Sequence, residues 1–215
     1  MAIKIDREIY LLSPTAKAGV IHMPMITFDT TAKQIDFSSC DTLMFSSKQA
    51  VKSAEEIDSR WKKFPSIAIG DATKKEIEAF GGKVLYAPSA FYAKELAEDI
   101  VESLSGRKIL YLRPQKISFD SKSFLALRGI ALQEQIIYET SCVSYVCDEA
   151  PDKHAIIIFT SPSSIYCFLK NFDWDKSYTA VVIGNETKSH LPQYIQYVTA
   201  DQPLIEDCIA KAKKL

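Results

Sequence analysis

One segment of this chain occurs twice. Residues 43–51 read LMFSSKQAV, and SIAIGDATKKEI follows at 66–77. Residues 157–165 read IIFTSPSSI, and AVVIGNETKSHL follows at 180–191. Phe45 and Phe159, Gly70 and Gly184, Thr73 and Thr187, and Lys74 and Lys188 each stand 114 positions apart. Neither copy carries an insertion between its two motifs, so a structural unit is duplicated, and a duplicated unit fixes the architecture. The repeat predicts two similar lobes whose equivalent loops face one another across a cleft.

Strand and helix patterns alternate around the repeat. Residues 9–12 and 20–26 read as strands, the second interrupted by Pro24. After a β-rich run at 42–45, Val51, Ala54, Ile57 and Trp61 fall at helical spacing over 48–61. A strand at 67–69 precedes a helix over 73–80 that Gly81 and Gly82 stop. A strand at 84–86 leads to a helix capped at Ser89 and ended by Gly106. Residues 109–112 and 135–138 read as strands around a helix at 121–127, and 140–146 is β-rich. The last third alternates strands at 155–159, 180–183 and 197–199 with helices at 163–169, 187–191 and from about 204. Such alternation implies α/β lobes, each a parallel sheet flanked by helices. The block 32–138 holds enough strands to be complete. Residues 146–215 do not, and residues 1–27 would supply the missing strands. The expected organisation is a discontinuous lobe, 1–27 with 146–215, and an inserted lobe, 32–138. Residues 28–31 and 139–145 would join them as a two-stranded β linker.

Composition narrows the function. A net charge of −1 leaves no broadly basic surface for nucleic acid. No apolar run could span a bilayer, and the N-terminus lacks the pattern of a signal peptide, which points to a cytoplasmic protein. The five cysteines, Cys40, Cys142, Cys147, Cys167 and Cys208, are odd in number and form no CxxC, a pattern of reduced thiols. The three histidines have no metal-ligand spacing, so no metal is expected. Neither GxGxxG nor GxxxxGK[ST] nor GxSxG occurs, which argues against Rossmann cofactors, P-loop chemistry and an esterase-type nucleophile.

The candidate site lies at the strand-to-helix turns of the repeat, because open α/β sheets bind ligands beyond the carboxyl ends of their strands. The first copy supplies Ser46, Ser47 and Lys48, then Gly70 and Thr73. The second supplies Ser161, Ser163 and Ser164, then Gly184 and Thr187. Helix N-termini present free amides and partial positive charge, and hydroxyls add donors, so these turns suit a polyanion. Ser and Thr at such places also serve as plain N-caps. Arg113 at a strand end is a further anion contact. Tyr166 follows the Ser-Pro-Ser-Ser turn and could bring a phenol to the cleft or pack at the edge of the core. Cys167, on a second helical turn, reads as core.

These motifs resemble uroporphyrinogen-III synthases. Members of that family carry a strand ending in Phe, then Thr/Ser-Ser-x-x-Ala/Ser-Val, and later Ala-Ile-Gly-x-x-Thr, in both halves. MFSSKQAV with AIGDAT and IFTSPSSI with VIGNET are similar, as are GRKILYLRP at 106–114 and the GIALQEQIIYET stretch at 129–140. The resemblance implies a cofactor-independent lyase that closes hydroxymethylbilane with loss of water and inversion of ring D. The repeated turns supply the catalytic candidates, Tyr166, Thr73 and Thr187, and the other named turn residues as substrate contacts. A monomer with a small-molecule substrate, bound to neither nucleic acid nor membrane, is expected. The chain departs from the pattern in its nearly absent first helix and in Ser13-Pro14 where an arginine is usual. A tyrosine of some relatives aligns at Cys167 rather than at Tyr166. The alternative is a non-catalytic two-lobed binding protein for a small carboxylate. A flavodoxin-like carrier fits poorly, because SPTAKAG lacks a hydroxyl-rich phosphate loop.

Overall fold

A computed structural model describes residues 7–88, 93–117 and 119–215 of the chain. The first strands are β1 (Ile9–Leu11), β2 (Ile21–His22) and β3 (Ile26–Thr30). Next come β4 (Thr42–Phe45), α1 (Lys48–Ile57), β5 (Pro65–Ala68), α2 (Asp71–Ala79), β6 (Lys83–Tyr86), α3 (Ala93–Ser103), β7 (Ile109–Pro114), α4 (Ser121–Ala126) and β8 (Leu132–Cys142). The chain finishes with β9 (Ile156–Phe159), α5 (Pro162–Asn171), β10 (Thr179–Val182), α6 (Asn185–Lys188), β11 (Tyr197–Thr199) and α7 (Ile205–Ala212). Two compact units result: Met1–Thr27 with Ser141–Leu215, and Phe28–Thr140.

The discontinuous unit carries a sheet ordered β11-β10-β9-β1-β2, all its pairs parallel. The inserted unit carries β3-β8-β7-β4-β5-β6, parallel from β8 to β6. β3 and the far end of β8 run antiparallel. Thr31 N–H donates to Ile137 O and Val143 N–H to Met25 O, so one number rises as the other falls. The repeat keeps its register in three dimensions. β4 and β9, β5 and β10, and the first residues of α2 and α6 are each 114 apart.

Both central strands are buried on both faces, as parallel strands covered by helices must be. In the inserted unit Leu43 and Phe45 point to one core with Ala50, Val51, Ala54, Trp61 and Ile77. Met44, between them, points to a second core with Leu96, Ala97, Ile100 and Leu125. Strand alternation therefore sends α1 and α2 to one face and α3 and α4 to the other. In the discontinuous unit Ile156 and Ile158 meet Cys208 and Ala212 of α7. Phe159 turns the other way and meets Phe168 of α5 edge-on at 5.7 Å.

Several expected boundaries move for local reasons. Pro24, which lacks an N–H, divides the expected strand 20–26 into β2 and β3. The expected helix 48–61 ends at Ile57. Asp58 turns extended, accepts the Arg60 N–H on its carboxylate and starts a separate 3₁₀ turn, Ser59–Lys63. The strand at 135–138 and the β-rich run at 140–146 form one strand, β8, because no Gly or Pro interrupts it. The cap expected at Ser89 lies outside the described residues. The cysteine reading is corrected: Cys142 and Cys167 form a disulfide, while Cys40, Cys147 and Cys208 are free.

The stop after α2 is a Schellman motif. Gly81, at φ +83°, donates to Glu78 O at 2.9 Å, and Gly82 donates to Ile77 O at 2.9 Å. Gly82 has a second duty, because a Cβ there would lie 2.5 Å from Trp61 Cζ3 and 2.6 Å from Cη2. Trp61 is fully buried and held by its Nε1–H bond to Glu55 at 2.8 Å, so the ring cannot retreat cheaply. Gly82→Ala is therefore expected to destabilise the protein by about 1–3 kcal/mol, the usual range for overpacking. Gly106→Ala, with nothing within 4 Å of the added carbon, should stay within about 0.5 kcal/mol of the parent. Urea denaturation measures both, and equal midpoints would show that the indole yields freely.

Candidate active site

Each unit ends its central strands in the same two turns. In the inserted unit the first turn is β4 to α1. Ser47 is the N-cap of α1, its Oγ accepting the Ala50 N–H at 3.0 Å. The same Oγ shares a 2.9 Å hydrogen bond with the Tyr138 hydroxyl from β8. The Tyr111 hydroxyl from β7 donates to Ser46 Oγ at 2.7 Å. Successive serines are thus fastened by tyrosines from β7, the neighbour of β4, and from β8, one strand further. Lys48 opens the helix and is exposed.

The second turn, β5 to α2, is made by Gly70 at φ +76°, a left-handed conformation that favours glycine. Gly70 is itself the N-cap and supplies no side chain, so Thr73 is not the cap of its helix. Thr73 is 4% exposed, and no protein group bonds to its hydroxyl among the described residues.

The discontinuous unit repeats the plan with different chemistry. Ser161 caps α5, and its Oγ accepts the Ser164 N–H at 3.2 Å. Ser164 Oγ accepts the Ser161 N–H at 3.3 Å and donates to Ser161 O at 2.7 Å. Ser164 thus spends its hydroxyl inside the capping box, whereas Ser161 Oγ only accepts there and its O–H donates to no protein group among the described residues. Ser163 is exposed. Gly184, in extended backbone, caps α6 without a side-chain bond. Thr187, 3% exposed, likewise keeps a hydroxyl without a protein partner among the described residues. α6 is a single turn, so its free amides matter more than any macrodipole.

Tyr166 is 66% exposed, which removes the core-edge reading of that side chain. It lines an open groove of about 460 Å³ with Pro162, Ile165, Leu169, Lys170 and His190. Arg113 is less available than its sequence position suggests. Its Nη1 donates to Pro114 O at 2.9 Å and Gln115 O at 3.2 Å, and its Nε lies 3.3 Å from Glu134 Oε2. That last contact is misaligned for a hydrogen bond, which leaves Arg113 Nε and Glu134 Oε1 buried without one. Among the described residues no cluster of His, Cys, Asp or Glu is arranged to hold a metal ion.

Tyr111 and Tyr138 were not singled out by the sequence reading. Both sit inside the motifs YLRP and IYET, but nothing in either motif says that the ring reaches a serine beyond β4, one strand away for Tyr111 and two for Tyr138. Burial raises both phenols above the ordinary tyrosine range. Their serine bonds oppose that rise more weakly.

The uroporphyrinogen-III synthase HemD profile, HEM4, matches residues 15–210. No curated protein matches the chain. The structure is similar to the crystal structure of uroporphyrinogen-III synthetase from Helicobacter pylori 26695, at a TM-score of 0.83 and 26% identity. That match spans 97% of this chain and 99% of the other. A mutant uroporphyrinogen III synthase from the extremely thermophilic bacterium Thermus thermophilus matches at a TM-score of 0.56 and 11% identity, over 97% and 98% of the two chains. At that identity the likeness is one of fold.

The buried phenols give a pH signature. A phenol whose pKa is raised by folding keeps its proton in the native state after the unfolded chain has lost it. Its contribution to stability is complete below the ordinary tyrosine value of about 10. The contribution is lost as pH rises through the raised native value. Tyr10, pushed up to about 12 chiefly by burial, acts in the same direction. Stability should fall above about pH 10, and more gently in Tyr111→Phe than in the parent, because one such group is gone. Urea midpoints across that range test this, and superimposable pH profiles would refute it.

Proposed function

The chain belongs to the uroporphyrinogen-III synthase family, and from that premise we propose that the two pairs of turns hold its linear tetrapyrrole substrate by their amides and free hydroxyls. The reaction is the closure of hydroxymethylbilane to uroporphyrinogen III. The hydroxyl of ring A leaves as water. The substituted carbon of ring D then attacks, and the ring inverts through a spiro intermediate. Such a step gains most from orientation, because two ends of one flexible molecule must meet in one of two ways. The substrate carries eight carboxylates, which suits turns rich in N–H and O–H donors and poor in free cations.

The observation that carries this assignment of roles is the free hydroxyl on Thr73 and Thr187. Each follows a glycine N-cap by three residues, each is nearly buried, and each lacks a protein partner among the described residues. We assign them to substrate carboxylates. Ser46 and Ser47 act as a turn fixed by tyrosines that aims the first amides of α1. Ser161 and Ser164 shape the matching turn of α5, and Ser163, Lys48, Gly70 and Gly184 border the bound chain. Arg113, partly neutralised by Glu134, sets local potential more than it grips an anion. Tyr166 is the exposed phenol available to protonate the leaving hydroxyl.

Thr73→Val and Thr187→Val remove the hydroxyl and keep the volume. A hydrogen bond to a charged group contributes about 1.5–3 kcal/mol. Each variant should therefore lose about ten- to a hundredfold in kcat/KM, at ~1.4 kcal/mol per decade. The share of isomer I should rise as loosely held substrate closes unaided. Stability should stay within about 0.5 kcal/mol, since no protein partner among the described residues is lost. Chromatography of the two isomers from enzymatically generated hydroxymethylbilane measures this, and normal turnover in both variants would remove the assignment. Tyr166→Phe should lower kcat several-fold, by analogy with other positioned acids, with the melting point unchanged. An unaltered kcat would leave the proton to another group.

A further inference from the structure

The Cys142–Cys167 bond joins the last residue of β8 to the second turn of α5, both within the discontinuous unit. The Cα atoms are 5.3 Å apart, inside the ~4.4–6.8 Å span that a disulfide bridges without moving backbone. The surroundings hold this geometry without help from the sulfurs. Asn171, the last residue of α5, donates to Val143 O at 2.9 Å and accepts the Tyr145 N–H at 2.9 Å. Val143 N–H donates to Met25 O at 2.9 Å, and the Tyr145 hydroxyl donates to Pro24 O at 2.9 Å. Residues 143–145 therefore stay against α5 when the bond is open, and the two thiols remain in reach of each other. Cys142 is partly exposed and Cys167 is 3% exposed, so an outside thiol has access from the Cys142 side.

We propose that Cys142 and Cys167 form a reversible thiol–disulfide site. Its oxidised state tethers the end of β8 to the helix that carries the Ser161–Ser164 turn and Tyr166. Oxidation uses a low-molecular-weight disulfide. The Cys142 thiolate attacks one of its sulfurs and expels one thiol, giving a mixed disulfide. The Cys167 thiolate then attacks the Cys142 sulfur and expels the second. Two protein thiols are oxidised, and the outside disulfide is reduced to two thiols. A dithiol reverses the sequence, attacking Cys142 Sγ first and expelling the Cys167 thiolate.

The test needs no substrate, so it stands apart from the assigned function. The full chain is equilibrated in buffers of oxidised and reduced glutathione, denatured, alkylated and mapped by mass. In the oxidised protein neither Cys142 nor Cys167 should alkylate or carry glutathione, and the reduced protein should alkylate at all five cysteines. Closing a loop of 25 residues should raise the melting point by about 5–10 °C over the reduced state. Cys142→Ser should melt with the reduced parent and ignore the redox buffer. Five alkylated cysteines in oxidised glutathione, glutathione as the final adduct on Cys142, or equal melting points of the two parent states would each overturn the proposal. If Cys142→Ser fails to fold, the thiol count and melting points of the parent decide alone.

Discussion

Parallel pairing is the constraint on which the rest depends. A strand cannot reach a parallel neighbour through a tight turn. It needs a crossover, and here the crossovers are mostly helices. Every strand in β11-β10-β9-β1-β2, and every strand from β8 to β6, obeys this. All strand-to-helix turns of a unit therefore leave its sheet at one edge, the edge where helix amides are unpaired. A duplicated unit carries two such edges built from one plan. The offset of 114 thus repeats a turn geometry as well as a sequence.

The two copies have since diverged in how they hold that geometry. Ser47 and Ser161 are equivalent N-caps, and both accept the amide three residues on. Beyond that, the inserted unit fixes its turn from outside, with Tyr111 reaching across from the adjoining β7 and Tyr138 from β8 beyond it. The discontinuous unit fixes its turn from within, by the reciprocal bonds of Ser161 and Ser164. Ser53 of α1 and Cys167 of α5 are also equivalent, both buried on the second helical turn. One accepts a bond from Gln49 Nε2, and the other is bonded to Cys142.

The contrast shows what a sequence can and cannot disclose. The strands of the repeat were legible to within a residue or two, because IIIF and TLMF are short apolar runs bounded by turn residues. The Gly81-Gly82 stop was legible for the same local reason. The end of α1 was not. Trp61 continues the helical spacing, and only the Asp58 bond to the Arg60 amide shows that the helix has already closed. The tyrosine–serine pairs depend on which strands become neighbours. Tyr111 is 65 residues from Ser46, and Tyr138 is 91 from Ser47. Counting cysteines gave reduced thiols, because an odd number without CxxC says nothing of two that lie 25 apart in sequence and adjoin in space. The serines and threonines were found as a group. Only the hydrogen bonds divide those already used as caps from those left free.

That division bears on the chemistry. Burial keeps Tyr111 and Tyr138 protonated well past neutrality, so they hold their serines as neutral hydroxyls and are poor bases. Ser164 has no hydroxyl to spare, and Arg113 already faces Glu134. Among the described residues the turns keep their amides, the hydroxyls of Thr73 and Thr187, and the exposed Lys48, Ser163 and Tyr166. Such a set can orient a polycarboxylate and give it a weak acid. It offers little to force a bond by itself. For a reaction whose outcome turns on which carbon of ring D meets the ring A cation, we propose that such a set acts chiefly by orientation.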